Sequence, residues 1–193
     1  MSDTGVDLPT ALVVVDVQVE MTQPQDPDQP LPWNVDETLA NIQTLLASAR
    51  SAGARVIYVQ HESRVNEFMM RGRPGFEIEP RIAPLPGETI VVKNVCDSFS
   101  RSTFEQKLRD AGITHFVTCG IQSDFCVDMA TKSGLSRGFN VTLASDAHTT
   151  WDNGVLTAEQ IIAHHNITAI NMSGPNARIL AKPAAEIVFA RAD

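Results

Sequence analysis

A continuous apolar run near the start of the sequence constrains the fold most. Residues 11–17 read ALVVVDV, and Asp16 is the one polar residue among them. A run without polar alternation is typical of a strand buried on both faces of a parallel sheet, which needs helices on both sides. A carboxylate at the end of such a strand is costly to bury, so Asp16 is either a brace for the following loop or a functional group.

Strand-like and helix-like segments alternate along the 193 residues, the pattern of βαβ units. Strands are predicted at residues 11–17, 55–60, 89–93, 113–119, 140–145 and 167–172. Helices are predicted at residues 35–52, 100–111, 126–138 and 157–165. Residues 61–88 show little periodicity and are predicted as a long loop. Because no linker or internal repeat interrupts the pattern, we predict one domain over residues 1–193. Its fold class is α/β, a three-layer α/β/α, Rossmann-like arrangement with a mostly parallel sheet of about six strands.

Charge and composition exclude several kinds of partner. The net charge of −8 and the lack of a dense Lys/Arg run argue against nucleic acid and anionic membranes. The polar, acidic N-terminal residues are not typical of a signal peptide, and no apolar run is long enough to cross a bilayer. Three cysteines without a CxxC pair indicate neither a disulfide framework nor a zinc site. We therefore expect a cytoplasmic protein that acts on a small molecule, and we expect a homo-oligomer, either a dimer or a tetramer.

Residues 115–130, HFVTCGIQSDFCVDMA, combine a strand, a turn beginning at Gly120 and the start of a helix. With Ser123 as the N-cap, Cys126 would be the third helical residue, near backbone N–H groups that lack intrahelical partners. The positive end of a helix favours a thiolate, and free N–H groups can stabilise an oxyanion. Cys126 is therefore a candidate nucleophile, although a free cysteine is also often a small buried hydrophobic residue.

Three chemically useful side chains follow predicted strands at one edge of the sheet: Asp16, Lys93 and Cys126. Open α/β sheets place their sites along this edge. An ammonium at Lys93 would favour the Cys126 thiolate, and Asp16 could accept and return a proton. This combination suits attack on a carbonyl carbon, release of an amine and hydrolysis of the resulting thioester.

The same edge predicts a substrate pocket bordered by Trp33, Phe99 and His148, since each follows or closes a segment that ends there. Two of these residues have an alternative structural role. Trp33 can equally anchor its loop in the core, and a histidine after a strand is often a hydrogen-bonded brace.

Four motifs give the chain a family resemblance. They are VVVDVQ at residues 13–18, VVKNVCDSF at 91–99, CGIQSDFCVDMA at 119–130 and SDAHTT at 145–150. The chain resembles the cysteine hydrolases of the isochorismatase-like superfamily, which includes nicotinamidases and N-carbamoylsarcosine amidohydrolases. The resemblance implies a catalytic triad of Asp16, Lys93 and Cys126. It also implies a cis peptide bond between Ile121 and Gln122, and an oxyanion hole formed by the backbone N–H groups of Gln122 and Cys126.

Departures from two branches of this superfamily narrow the predicted function. Nicotinamidases resemble one another in an Asp-x-His…His metal site, whereas residues 60–63 here read QHES. We therefore expect no metal and no other cofactor. Isochorismatases act on a vinyl ether without a cysteine nucleophile, whereas Cys126 is present. The prediction is a metal-independent amidohydrolase, acting on a small-molecule amide or another C–N bond other than a peptide bond.

Four alternatives remain open at this point. Two are an isochorismatase-type and a nicotinamidase-type hydrolase. The third is a thiol redox sensor, for which Cys96 is the candidate resolving partner because Cys119 lies in a predicted buried strand. The fourth is a catalytically silent binding protein with this fold.

Overall fold

The computed structural model describes residues 7–24, 26, 28–65 and 69–190, so parts of the predicted domain, N-terminus and loops lie outside the described residues. Within these ranges the chain forms one seven-stranded sheet in the order β3-β2-β1-β4-β5-β7-β6. Its strands are β1 (Ala11–Val15), β2 (Arg55–His61), β3 (Thr89–Lys93), β4 (His115–Ile121), β5 (Asn140–Thr149), β6 (Ser173–Gly174) and β7 (Ala177–Lys182). Neighbouring strands are parallel except for β6, which pairs antiparallel with β7.

Helices cover both faces of this sheet. They are α1 (Val19–Thr22), α2 (Val35–Ala52), α3 (Phe104–Asp110), α4 (Cys126–Ser136) and α5 (Ala158–Ile170). Alternate residues of β1 pack into two different cores: Ala11, Val13 and Val15 with residues of α3 and α4, and Leu12 and Val14 with residues of α2. The prediction of a strand buried on both faces, in a three-layer α/β/α fold, is confirmed. None of the helices described is long and apolar enough to span a membrane.

The predicted sixth strand at residues 167–172 is wrong. Helix α5 continues to Ile170, and the sheet is completed by β7 and β6. A capping box of Thr157 and Gln160 starts this helix. Ile161, Ile162 and Ala169 are buried at helical spacing. Burial of this stripe overrides the β-propensity of the last isoleucines, which read locally as a strand.

Helix α3 is shorter than the segment predicted at residues 100–111, and its first turn differs. It begins at Phe104 after Thr103, and no side chain caps its first turn, so Ser102 and Glu105 do not form a capping box. Ser102 Oγ instead donates a hydrogen bond to Ser98 O and accepts one from Phe104 N–H. Residues 94–103 therefore remain irregular, and they carry the segment that follows Lys93.

The segment after β2 is tied to the end of β1 by buried hydrogen bonds. Gln18 Nε2 and Gln60 Nε2 each donate to Phe76 O at 2.7 Å, and Gln18 Nε2 also donates to His61 O. Two backbone bonds continue this contact, from Val19 N–H to Glu77 O and from Glu79 N–H to Val17 O. The predicted loop thus contains an anchored portion, with 3-10 turns at Pro74–Phe76 and Pro80–Ile82.

Gly120 brings the end of β4 into close backbone contact with β1. It pairs with Val15 and has a φ of +123°, a conformation that side chains rarely allow. A Cβ atom at this position would lie 2.1 Å from Val15 O. Only glycine fits here, and the contact fixes the turn before Cys126 against the strand that ends next to Asp16.

Candidate active site

Asp16, Lys93 and Cys126 meet at the carboxyl edge of the sheet. Lys93 Nζ lies 2.6 Å from Asp16 Oδ2 and donates a hydrogen bond of 3.1 Å to Cys126 Sγ. A third contact joins Lys93 Nζ to Val95 O at 3.2 Å. The side chains of Lys93 and Asp16 are 0% and 1% exposed, so this ion pair is removed from water. The lysine therefore links the carboxylate to the sulfur.

Asp16 carries open acceptor capacity despite its burial. Oδ2 is 2.6 Å from Lys93 Nζ, whereas Oδ1 has no hydrogen-bond partner among the residues that the structure describes. The backbone of Asp16 has a φ of +51° and donates its N–H to Val59 O. A buried carboxylate normally has its lone pairs satisfied. The free lone pairs of Asp16 are therefore suited to take a proton or a substrate N–H.

Lys93 is held in its charged form. Burial alone would lower the pKa of Lys93, but the charges of Asp16 and Cys126 and the hydrogen bonds to them raise it above its usual value. The side chain is thus an ammonium at neutral pH, and it supplies the positive charge nearest to the sulfur.

Cys126 is the first residue of α4, and the predicted position three residues into the helix is wrong. Phe125 precedes the helix as its cap, while Ser123 Oγ is hydrogen-bonded to His148 Nδ1 instead. The peptide bond between Ile121 and Gln122 is cis, at the place that the family resemblance implies. Gln122 O accepts hydrogen bonds from the N–H groups of Phe125 and Val127. These two bonds do not use the N–H groups of Gln122 and Cys126, which the family resemblance assigns to the oxyanion hole.

A second thiol lies beside the first. The Sγ atoms of Cys96 and Cys126 are 3.8 Å apart. With the proton on Cys126, their hydrogen bond lowers the pKa of Cys96 to about 7 and, followed by burial, raises the pKa of Cys126. Lys93 opposes the rise at Cys126, because its positive charge, and the N–H that it donates to Cys126 Sγ, favour the thiolate and so lower the pKa of Cys126.

The structure separates the three residues predicted to border the pocket. Phe99 is buried in an aromatic cluster, its ring centroid 4.7 Å from that of Phe104, and Cys126 packs against the core that contains this cluster. Trp33 and His148 line a different cavity of about 200 Å³, and none of Asp16, Lys93 and Cys126 lines it. Phe99 therefore packs in the core beneath the site. Trp33 and His148 line another cavity, so the three residues do not form one pocket wall beside Cys126 Sγ.

His148 occupies a fully buried hydrogen-bonded position. Its Nδ1 is 2.7 Å from Ser123 Oγ and its Nε2 is 3.0 Å from Asn166 Oδ1. Burial lowers the pKa of His148 to about 4, against the opposing effect of Asn166. A neutral imidazole thus links β5 and α5 to the turn before Cys126. This geometry corresponds to the hydrogen-bonded brace that the sequence left open.

His61 is a site residue that the sequence analysis did not identify. It ends β2 directly opposite Lys93, and its ring Nδ1 is buried without a hydrogen-bond partner in the described ranges. Burial, followed by the charge of Lys93, lowers the pKa of His61. The signal was available, because His61 obeys the same rule of strand ends that identified Asp16 and Lys93.

Metal-binding groups do not converge in the part of the chain that the structure describes. No set of three His, Cys, Asp or Glu side chains there is arranged to hold an ion. The chemistry that the described side chains offer is that of a thiol, an ammonium and a carboxylate in contact.

Comparison with known proteins gives the family. The Isochorismatase domain model matches residues 10–167. Streptothricin hydrolase from Streptomyces noursei is 35% identical over 144 residues, which are 74% of this chain and 55% of that protein. Ureidoacrylate amidohydrolase from Variovorax paradoxus is 26% identical, over 57% of this chain and 55% of its own length. The chain thus spans about half the length of these two curated relatives.

A solved structure supports the same conclusion over the whole fold. The crystal structure of an isochorismatase from Pseudomonas putida matches with a TM-score of 0.81 and 26% identity, covering 96% of each chain. The sequence match extends from the start of β1 into α5, and the structural match covers nearly the whole chain. The chain therefore belongs to the isochorismatase family.

Proposed function

We propose that this protein is a cysteine hydrolase that cleaves a small-molecule amide, or another C–N bond other than a peptide bond, through a thioester and without a metal ion. The observation that carries the proposal is the position of Lys93 Nζ, in contact with both Asp16 Oδ2 and Cys126 Sγ. This contact supplies a nucleophile, a charge that activates it and a proton acceptor within one buried cluster.

The first half of the reaction forms the thioester. Asp16 accepts the thiol proton on one of its open carboxylate oxygens, and Lys93 stabilises the Cys126 thiolate. The sulfur attacks the carbonyl carbon, and the negative charge that develops on oxygen is stabilised by the N–H groups of Gln122 and Cys126. Protonated Asp16 then gives its proton to the leaving nitrogen as the C–N bond breaks.

The second half releases the acid. A water molecule attacks the thioester carbonyl carbon and gives one proton to Asp16. The oxyanion again accepts hydrogen bonds from the backbone N–H groups of Gln122 and Cys126. Collapse of this intermediate breaks the C–S bond, and the proton on Asp16 returns to Cys126. Acid and amine are released, and the triad regains its starting protonation state.

The relatives support the choice of bond. One is named a streptothricin hydrolase and the other a ureidoacrylate amidohydrolase, so hydrolysis occurs in both and an amide bond is the substrate of the second. Because the chain covers only 55% of each, their substrates are starting points for a screen and not an assignment.

The experiment is a screen of small primary amides, ureido compounds and lactams, with detection of released ammonia or amine. Wild-type protein is compared with Cys126→Ala and with Cys119→Ala, a matched control because Cys119 is fully buried in β4. We expect turnover by the wild type and the control, and a loss of at least about a thousandfold in Cys126→Ala. A mass increase equal to the acyl group, seen on Cys126 after rapid quenching, would identify the intermediate. Full turnover by Cys126→Ala would exclude the covalent mechanism.

A further inference from the structure

Cys96 is a reactive group that the hydrolytic mechanism does not use. It lies on the irregular segment between β3 and α3, and both Cys96 and Cys126 are partly exposed. Their sulfurs are 3.8 Å apart, close to van der Waals contact. Lys93 donates an N–H to Cys126 Sγ and favours a thiolate there, and the Cys96 sulfur lies directly beside it.

We propose that Cys126 and Cys96 form a site of reversible oxidation by hydroperoxides, in which the two sulfurs close into a disulfide bond. A low-pKa thiolate next to a resolving thiol is the arrangement that gives a reversible product instead of overoxidation. The disulfide would withdraw the nucleophile and stop hydrolysis until a thiol reductant restores it.

The chemistry balances in two steps. The Cys126 thiolate attacks the terminal oxygen of the hydroperoxide, the O–O bond breaks and the released alkoxide or hydroxide takes a proton. This leaves Cys126 as a sulfenic acid. Cys96, as a thiolate, then attacks the Cys126 sulfur, and the S–O bond breaks with loss of hydroxide, which is protonated to water. The two sulfurs together lose two electrons and the peroxide gains two.

The geometry permits the second step. A disulfide has a sulfur–sulfur distance of about 2.05 Å, so the sulfurs must approach from the 3.8 Å of the reduced form. Cys126 is fixed at the first turn of α4, whereas Cys96 is outside any helix or strand. Rotation of the Cys96 side chain, with adjustment of the irregular backbone around it, can therefore close the gap.

Cys119 is excluded as the partner. It is 0% exposed within β4, its Sγ contacts Val13 O, and burial raises its pKa far above the usual value for a thiol. It therefore provides a control cysteine that should remain reduced under the same treatment.

The test uses the full chain and reads the thiols themselves. Wild-type protein, Cys96→Ser and Cys119→Ala are treated with hydrogen peroxide at pH 7, quenched, unfolded, alkylated with iodoacetamide and analysed by intact mass and peptide mapping. In the wild type we expect loss of two alkylatable thiols, a linked pair of peptides containing residues 96 and 126, and full recovery with dithiothreitol. The same link should form in Cys119→Ala. In Cys96→Ser we expect a sulfenic acid on Cys126, trapped by dimedone, and about tenfold more irreversible sulfinic acid than in the wild type.

Three results would overturn the proposal. They are a wild type without the 96–126 link, a link that requires Cys119, and equal sulfinic acid formation in the wild type and Cys96→Ser. Because mass and alkylation are read without any substrate, these results do not depend on whether the proposed amide hydrolysis is found. The mapped link in the wild type is decisive even if one variant folds poorly.

Discussion

Replacement of Lys93 by methionine should raise the pKa of Cys126, because it removes the charge nearest to the sulfur. At the observed 3.1 Å, and with an effective dielectric constant of about 20, an ammonium stabilises a thiolate by about 5 kcal/mol. The carboxylate of Asp16 opposes this effect, since it raises the pKa of Cys126. In Lys93→Met, Asp16 is left buried and unpaired and should take up a proton, so both charges disappear together.

The expected net change is therefore smaller than the attraction of Lys93 alone. We expect the pKa of Cys126 to rise by about one to two units, which lowers the thiolate fraction at pH 7 by about 10- to 100-fold. The helix N-terminus remains, so some reactivity should survive. Asp16→Asn should lower the pKa or leave it unchanged, yet stop turnover, because the proton carrier is lost while the ammonium stays.

The assay is the rate of iodoacetamide alkylation of Cys126 between pH 5 and pH 11, resolved from Cys96 by peptide mass spectrometry. Lys132→Met is a matched control. Lys132 lies on the same helix as Cys126 and is paired with Asp128, so this variant replaces one paired lysine by methionine without losing a contact to the sulfur. If Lys93→Met and Lys132→Met give the same alkylation profile, Lys93 does not activate the thiol, and the mechanism built on this contact is refuted.

Three further predictions concern metal dependence and stability. Turnover should persist after exhaustive chelation, and activity that is lost to a chelator and restored by zinc or manganese would contradict this. Because burial lowers the pKa of His148 to about 4, the unfolded chain binds a proton between about pH 6.5 and pH 4 that the folded chain does not. The free energy of unfolding should therefore fall by about 3 kcal/mol as the pH falls through this range. His148→Gln should abolish this part of the pH dependence, measured by urea denaturation at several pH values. If the variant keeps the pH dependence of the wild type, His148 is not its source. Gly120→Ala should lower the free energy of unfolding by about 4 kcal/mol or more, because the added Cβ would meet Val15 O. Gly154→Ala, with nothing within 4 Å at a φ of +82°, should lower it by about 1 kcal/mol. Equal losses in urea denaturation would refute the close contact at Gly120.

The sequence was sufficient to predict that Asp16, Lys93 and Cys126 lie together, because one rule about parallel sheets covers all three. Asp16 and Lys93 mark the ends of apolar strands, and Cys126 follows Gly120 at the end of another. Because these strands are parallel, their carboxyl ends lie at the same edge of the sheet, whatever path the connecting loops take. The 2.6 Å and 3.1 Å contacts follow from that placement, although the distances themselves could not be read from the sequence.

The pocket could not be predicted in the same way. A residue after a strand can turn toward the site or toward the core, and periodicity does not distinguish these directions. Phe99 packs with Phe104, Phe116 and Phe139, because an aromatic cluster was available beneath it. His148 found Ser123 and Asn166, which are distant in sequence. Such contacts depend on tertiary packing, for which the single sequence gave no signal.

The anchoring of the segment after β2 has a consequence for how relatives of this protein can diverge. Phe76 O is held by the side-chain amides of Gln18 and Gln60, and His61 at the end of β2 is held by Gln18 as well. The same glutamine, Gln18, therefore holds both ends of this segment, at His61 and at Phe76. Insertions, deletions or a transplanted loop between Glu62 and Arg73 therefore leave the strand ends that carry Asp16 and Lys93 in place. Changes in this loop should therefore leave the contacts of Lys93 with Asp16 and Cys126 unchanged.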